Sequence, residues 1–237
     1  MQFHRRLRPF NVISFDLDDT LYDNGPVLHK AEQALAHYLS EQWPDSADLT
    51  VDCWRQIRMQ LAKQNPQLMM NMTRLREESL RQGLSSRGVP QSALSNAVAD
   101  AMVYFLDVRN DIQVPPENLS LLQRCAEKYP LIAITNGNAD IQRIGLQDYF
   151  VAAWTPGETL RGKPTADMFL AAQQQLNFEA HQLLHIGDHP ISDIQGAAAF
   201  GAQSVWLNES GQPAPPAALT WLPTLTISSL RQLDALL

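Results

Sequence analysis

Between Ser14 and Asn24 the chain places four aspartates, Asp16, Asp18, Asp19 and Asp23, directly behind the short run Val12 to Phe15. Carboxylates converging on one point repel strongly at low dielectric, so such crowding makes sense when a cation sits among them. Hard oxygen ligands, few in number and with open positions, suit Mg²⁺ shared with a phosphate. Asp16 could then act as a covalent nucleophile. Asp18, two residues on, could protonate the leaving oxygen and later deprotonate water. A calcium loop is excluded, because the sixth position from Asp16 is Leu21 instead of glycine and the twelfth is Val27 instead of glutamate.

Further polar residues follow other apolar runs in the same way. Thr135 and Asn136 follow Leu131 to Ile134, and Gly187 and Asp188 follow Leu183 to Ile186. Lys163 lies in the Gly162-Lys163-Pro164 loop after Val151 to Trp154. In an open parallel sheet, ligands bind outside the carboxyl ends of the strands. Residues remote in sequence are therefore expected on one rim, where the Thr135 hydroxyl and the Lys163 ammonium would face phosphate oxygens. Taken singly, each of these residues is as well explained by a turn, a helix cap or a solvated side chain. Their joint placement on successive strand ends is what argues for a site.

The elements that must position them read as follows. Val12–Phe15, Leu131–Ile134, Leu183–Ile186 and Gln203–Leu207, with Val151–Trp154 as a weaker fifth, are short apolar runs expected as buried strands. Helical patterns lie between them at Asn118–Lys128, Ala166–Leu176 and Ser192–Phe200, the last with a Ser192/Gln195 capping box and Gly201 as its C-terminal cap. Alternating strands and helices predict a doubly wound parallel sheet, an α/β fold. From Val27 to about Asp107 the rhythm changes to four helical patterns, at Val27–Gln42, Leu49–Gln64, Leu75–Arg87 and Gln91–Leu106. Pro44, Pro66 and Pro90 stand between them as breakers. Gly211–Ala217 is expected as a Pro/Ala-rich surface loop.

The chain has 237 residues, 45% hydrophobic and 18% charged, enough for one sizeable core and a smaller second one. Its formal charge of −7 disfavours nucleic acid and anionic membranes as partners, so an anionic ligand must be caught by a local device. Cys53 and Cys125 lie far apart in helical segments and suggest buried thiols in a reducing compartment. No apolar run approaches the roughly 18 residues of a membrane span. A cytoplasmic protein is expected, with the basic lead-in carrying Arg5, Arg6 and Arg8 as a solvated tail. No protein partner is indicated.

Asp16-Leu17-Asp18-Asp19-Thr20, then Thr135-Asn136-Gly137, then Lys163-Pro164, then Gly187-Asp188 with Asp193, resemble the four motifs of the haloacid dehalogenase superfamily. The resemblance covers the α/β part almost end to end, and the insert resembles that superfamily's helical cap of the first type. It implies a Rossmann-like core formed by residues 1–24 and 108–237 and a cap formed by residues 25–107. It also implies an aspartyl-phosphate on Asp16, general acid and base work by Asp18, and a first loop supported by Thr20. Phosphate would be held by Thr20, Thr135, Asn136 and Lys163. Mg²⁺ would be held by Asp16, the Asp18 carbonyl and Asp188, with Asp193 acting through water or by orienting Lys163.

The segments Asp16–Asn24 and Ile134–Asn138, with the basic lead-in, look like the branch containing bacterial flavin mononucleotide phosphatases, which also act on the phosphorylated ribitylaminouracil precursor of riboflavin. A small phosphoester substrate is therefore expected. Tyr22, Asp23 and Asn24 open the path into the cap as hinge or pocket residues. Thr73, Arg74 and Arg76 are candidate substrate contacts in the cap, and His189 is a candidate beside Asp188. A 2-haloacid dehalogenase would share the nucleophile but needs no acid two residues later, so Asp18 favours phosphate chemistry. A phosphomutase would keep every motif. A non-catalytic protein on this scaffold would tolerate loss of motif residues, and none is missing.

Overall fold

The structure, a computed structural model, describes residues 1–209, 211 and 221–237, so the loop expected at Gly211–Ala217 lies outside the described residues apart from Gly211. The chain divides into two compact units. One comprises Met1–Asp23, Gln113–Gly137 and Ile141–Leu237; the other comprises Asn24–Ile112 with Asn138–Asp140.

The first unit is built on a seven-stranded sheet of order β1-β7-β6-β5-β2-β3-β4. Its strands are β1 (Gln2–Phe3), β2 (Val12–Phe15), β3 (Leu131–Ile134), β4 (Phe150–Trp154), β5 (Leu183–Gly187), β6 (Gln203–Leu207) and β7 (Leu225–Ile227). All neighbours are parallel except β1 and β7. β2, β3 and β5 are buried at every position, which is why they read as continuous apolar runs. Side chains alternate between faces, so Val12 packs with Met168, Phe169 and Ala172 while Phe15 turns the other way to meet Phe150 edge-on, with ring centroids 6.3 Å apart. After β4 the chain returns to place β5 beside β2. The order of the strands reverses there, and such a switch point is where a ligand crevice opens.

Two residues of the lead-in expected as a solvated tail join the sheet, while Arg5, Arg6 and Arg8 are exposed. β1 pairs antiparallel with β7, and the His4 and Arg5 amides donate to the Thr224 carbonyl at 3.0 and 3.2 Å. The outer edge of β7 offers backbone groups that need partners, and two residues suffice to satisfy them.

The second unit holds α1 (Asn24–Gln42), α2 (Val51–Gln64), α3 (Met72–Ser86) and α4 (Gln91–Arg109), with no strand among its described residues. Thr50 and Asn71 cap α2 and α3 with their side chains, so these helices begin where a capping oxygen is available. Ala31, Leu35 and Leu39 of α1 meet Leu94, Ala97, Val98, Ala101, Met102 and Phe105 of α4 in one cluster. This spacing of three and four is the apolar stripe of a buried helix face, and each large side chain so buried contributes about 1.5–3 kcal/mol. Asn138–Asp140 joins this unit through the Asn138 side-chain amide on Thr73 Oγ1 (3.4 Å) and the Asp140 amide on Asn110 Oδ1 (2.7 Å).

The remaining helices are α5 (Pro116–Ala126), α6 (Asp167–Leu176) and α7 (Gly196–Phe200). The helix expected from Ser192 is in fact a π-helical turn over Pro190–Gln195 that runs into α7, and the His189 side chain caps it in place of Ser192. Gly201 does end α7, in the left-handed region at φ 99°. Cys53 and Cys125 are both free, and Cys53 is only half-buried, contrary to the expectation of two buried thiols. No described helix is long and apolar enough to cross a membrane.

Candidate active site

β2 and β5 are neighbours in register, with Phe15 opposite Ile186, and the Asp16 amide donates to the Ile186 carbonyl at 2.8 Å. Asp16 and Asp188 therefore emerge side by side at the switch point of the sheet. One oxygen from each of Asp16, Asp188 and Asp193 lies within 4.8 Å of the others. Asp193 comes from the π-helical turn after β5. Gly187 permits this approach, because a Cβ there would stand 2.3 Å from the Asp193 Cγ.

Lys163 reaches the same place from the loop after β4. Its buried ammonium donates to Asp16 Oδ1 at 2.7 Å and to the Ile134 carbonyl at 2.5 Å, and pairs with Asp193 Oδ1 at 2.6 Å. The Asn136 side chain accepts from the Lys163 amide at 2.7 Å and donates to the Lys163 carbonyl at 2.8 Å. Asn136 was expected to hold phosphate. Its side-chain amide fixes the Lys163 backbone.

The first loop is braced in several places. Tyr22 donates its hydroxyl to Asp18 Oδ1 at 2.7 Å, and Thr20 donates to Asp188 Oδ1 at 3.4 Å. Asp19 adopts φ 58°, a left-handed conformation that lets the loop turn sharply after Asp18. Gly137, whose amide donates to Thr135 Oγ1 at 3.2 Å, passes so close that a Cβ would lie 2.2 Å from Asp18 Oδ2. A cavity of about 600 Å³ opens beside these residues, lined by Asp19, Thr20, Tyr22, Asn118 and Arg231 among others.

Burial pushes the Asp16 carboxyl up to about 8; Lys163 opposes this, while Asp193 and Asp18 add to it. Burial likewise raises Asp188 to about 7, helped by Asp193 and Asp19. Burial would raise Asp193 too, but Lys163 and His185 hold it well below the usual carboxylate range. Burial would lower Lys163, and the two aspartates outweigh that effect and hold it charged. The cluster thus sets three carboxylates, Asp16, Asp188 and Asp193, against the single Lys163 ammonium, two more than that cation can neutralise. This excess, on hard oxygen donors, fits a divalent cation bound by Asp16 and Asp188.

His185 was not anticipated. It is fully buried within β5, its Nδ1 is 2.8 Å from Ser14 Oγ, and its Nε2 is 3.2 Å from Asp193 Oδ1. Burial and the nearby Lys163 push its pKa down to about 4, so the ring is neutral. A neutral ring that donates from Nε2 to Asp193 must accept from the Ser14 hydroxyl at Nδ1. The available signal was a pair of polar residues interrupting two apolar runs in matching register, Ser14 opposite His185.

His189 is exposed, and its Nδ1 accepts from the Ile191 and Ser192 amides at 3.3 and 3.0 Å, so the imidazole caps the π-helical turn. Asn24 is the first residue of α1, and Asp23, next to it, is exposed. Arg74 is exposed near the start of α3. Arg76, expected to reach a substrate, is buried in the helical unit, with its guanidinium carbon 3.8 Å from the Phe105 ring centroid and one nitrogen 3.5 Å from Glu32. Arg55 and Arg58 also bond Glu32, so one buried carboxylate gathers three arginines.

The model of haloacid dehalogenase-like hydrolases matches residues 10–201, and the chain belongs to that family. It is a hydrolase, of the kind in this family that acts on phosphate monoesters. Among its relatives is the 5-amino-6-(5-phospho-D-ribitylamino)uracil phosphatase YigB of Escherichia coli (strain K12), 34% identical over 100% of both chains. The pyrimidine 5'-nucleotidase YjjG of the same organism is 32% identical over 56% of this chain and 61% of its own. A solved structure described as a 2-haloacid dehalogenase from Pseudomonas syringae pv. Tomato DC3000 superposes with a TM-score of 0.85 at 34% identity, covering 95% of this chain and 97% of that one.

Proposed function

We propose that the protein is a Mg²⁺-dependent phosphatase in which Asp16 attacks phosphorus, and that its substrate is 5-amino-6-(5-phospho-D-ribitylamino)uracil or a close flavin relative. The observation that carries the chemistry is the convergence of Asp16, Asp188 and Asp193 on the Lys163 ammonium at the switch point of the sheet. The substrate rests on full-length similarity to the Escherichia coli enzyme.

In this reading Asp16 and Asp188 hold the metal with the Asp18 carbonyl, and Asp193 holds Lys163 in place. Mg²⁺, when bound, neutralises charge shared by the phosphate and Asp16. The Asp16 carboxylate forms a bond to phosphorus as the ester bond to the leaving oxygen breaks. Asp18, oriented by Tyr22, gives that oxygen a proton and then takes one from the water that hydrolyses the aspartyl-phosphate. Thr135 and Lys163 face the phosphoryl oxygens, and Asn136 keeps Lys163 at the right depth.

Similarity to a structure described as a dehalogenase raises a second reading, and Asp18 argues against it. A halide leaves without a proton, so an acid held by Tyr22 at 2.7 Å would serve no step. The test is inorganic phosphate release from a panel containing 5-amino-6-(5-phospho-D-ribitylamino)uracil, flavin mononucleotide, pyrimidine nucleotides and sugar phosphates, with and without Mg²⁺. Metal-dependent release favouring the ribitylaminouracil or flavin ester is expected. A preference for another ester would discard the substrate and keep the chemistry. Halide release from 2-haloacids without phosphate release from any ester would overturn the chemistry.

A further inference from the structure

Arg5, Arg6 and Arg8 are three cations within four residues of a chain whose formal charge is −7. They line a cavity of about 740 Å³ together with Leu7, Pro9 and His181, and no acidic residue is among its described lining. Among the described residues, their side chains make no ion pair. Arginines scattered over a surface would call for no ligand, but these sit on a clamped backbone. The Arg8 amide donates to Gln203 Oε1 at 2.7 Å, while Gln203 Nε2 donates to the carbonyls of Arg8 and His181 at 3.1 and 3.0 Å. β1 anchors the segment on one side, and the Asn11 amide bonds the Gln182 carbonyl at 2.9 Å on the other.

Arg5, Arg6 and Arg8 are exposed, and no carboxylate among the described lining residues offsets them, so the cavity is a locally positive surface on an acidic chain and favours an anion. Its position separates it from the catalytic cluster. Asn11, Gln182 and Gln203 stand at the amino ends of β2, β5 and β6, whereas Asp16 and Asp188 follow the carboxyl ends of β2 and β5. Roughly 13–17 Å of strand lies between the two rims. α7 ends at this cavity and its dipole opposes an anion there, but a five-residue helix offers little field against three guanidiniums.

We propose that this cavity binds a small organic polyphosphate of the nucleoside di- or triphosphate class, at a site separate from the catalytic rim. Guanidinium forks match phosphate oxygens in pairs, and three of them exceed what one phosphate needs. The volume falls in the range of ligand pockets, and the His181 ring with the Leu7 and Pro9 walls suits a flat base beside the phosphates.

The test is calorimetric titration of ATP, inorganic tripolyphosphate and inorganic phosphate, in EDTA, into wild type, the triple variant R5A/R6A/R8A and Lys163→Ala. ATP is expected to bind wild type and Lys163→Ala alike, and the triple variant about tenfold or more weaker. The triple variant should keep wild-type kcat and melting temperature, showing that the fold and the catalytic rim are intact. Equal ATP affinity for wild type and the triple variant, loss of binding in Lys163→Ala, no binding to wild type at millimolar ATP, or equal affinity for ATP and inorganic phosphate would each overturn the proposal.

Discussion

Lys163 touches Asp16, Asp193 and the Ile134 carbonyl at once, and a lysine so placed has no freedom left to move. Its position is set from behind by Asn136 and by the Asp193–His185–Ser14 chain, neither of which needs to touch phosphate. Asp18 is set by Tyr22 and by the absence of a side chain at Gly137. Gly137→Ala would push the Asp18 carboxylate from a position only 2.2 Å from the new Cβ. A displacement on the order of 1 Å costs about 100-fold in a positioned reaction. The variant is expected to lose about 10- to 100-fold in kcat with its melting temperature nearly unchanged; wild-type kinetics would contradict this placement of Asp18. The motif residues were legible because chemistry fixes their types at strand ends. The supporting contacts were not, since Asn136 reads equally as turn or ligand, and a histidine inside β5 gives no sign of its partner until β2 is aligned beside it.

At the scale of elements, the helical unit depends on a buried charge as well as on its apolar stripe. Glu32 is buried on α1 and is bonded by Arg55, Arg58 and Arg76 from α2 and α3. Burial would raise its pKa, but Arg58, Arg55 and Arg76 outweigh burial and hold it below the usual glutamate value. A depressed folded-state value adds stability above the unfolded value, and that stability is lost as pH falls through the folded one. Glu32→Gln leaves three arginines without their carboxylate and is expected to cost about 3–5 kcal/mol at pH 7. The difference from wild type should shrink as pH falls below the ordinary glutamate range, as seen by thermal melting across pH. A constant difference down to the acid unfolding limit would show that the pairing is not its source. The four helices were readable from their periodicity; α4 starts at Gln91 as expected, while α2 and α3 start a few residues from their expected positions, just after Thr50 and Asn71, where a side chain could cap. β1 was unreadable, because two residues carry no alternation and the strand exists only to satisfy the edge of β7.

For the whole molecule, the sheet order brings four distant segments to one rim, and it does so at the cost of confining carboxylates together. Asp16 and Asp188 titrate higher in the folded protein than in the unfolded chain, so metal-free stability is expected to fall as pH rises from about 4 to 8. Metal-free Asp188→Asn should therefore melt above wild type at pH 8. Mg²⁺ should reverse that order, with metal binding releasing on the order of one proton per ion near pH 7. Calorimetry in buffers of different ionisation enthalpy reads the proton directly. An unchanged melting order with Mg²⁺, or binding without proton release, would remove Asp188 from the metal site. The α/β topology was legible because buried parallel strands read as apolar runs. The opposite rim was not, because Arg5, Arg6 and Arg8 read as a tail until Gln203 was seen to clamp them.

The most direct measurement of the central claim is an acid quench of wild type and Asp16→Asn during turnover of 5-amino-6-(5-phospho-D-ribitylamino)uracil with Mg²⁺, followed by peptide mass analysis. The account predicts one phosphoryl group on the wild-type peptide containing Asp16, absent from the variant, whose phosphate release is abolished while its fold persists. Phosphate release by Asp16→Asn near the wild-type rate, or a phosphoryl group trapped on another residue, would contradict it.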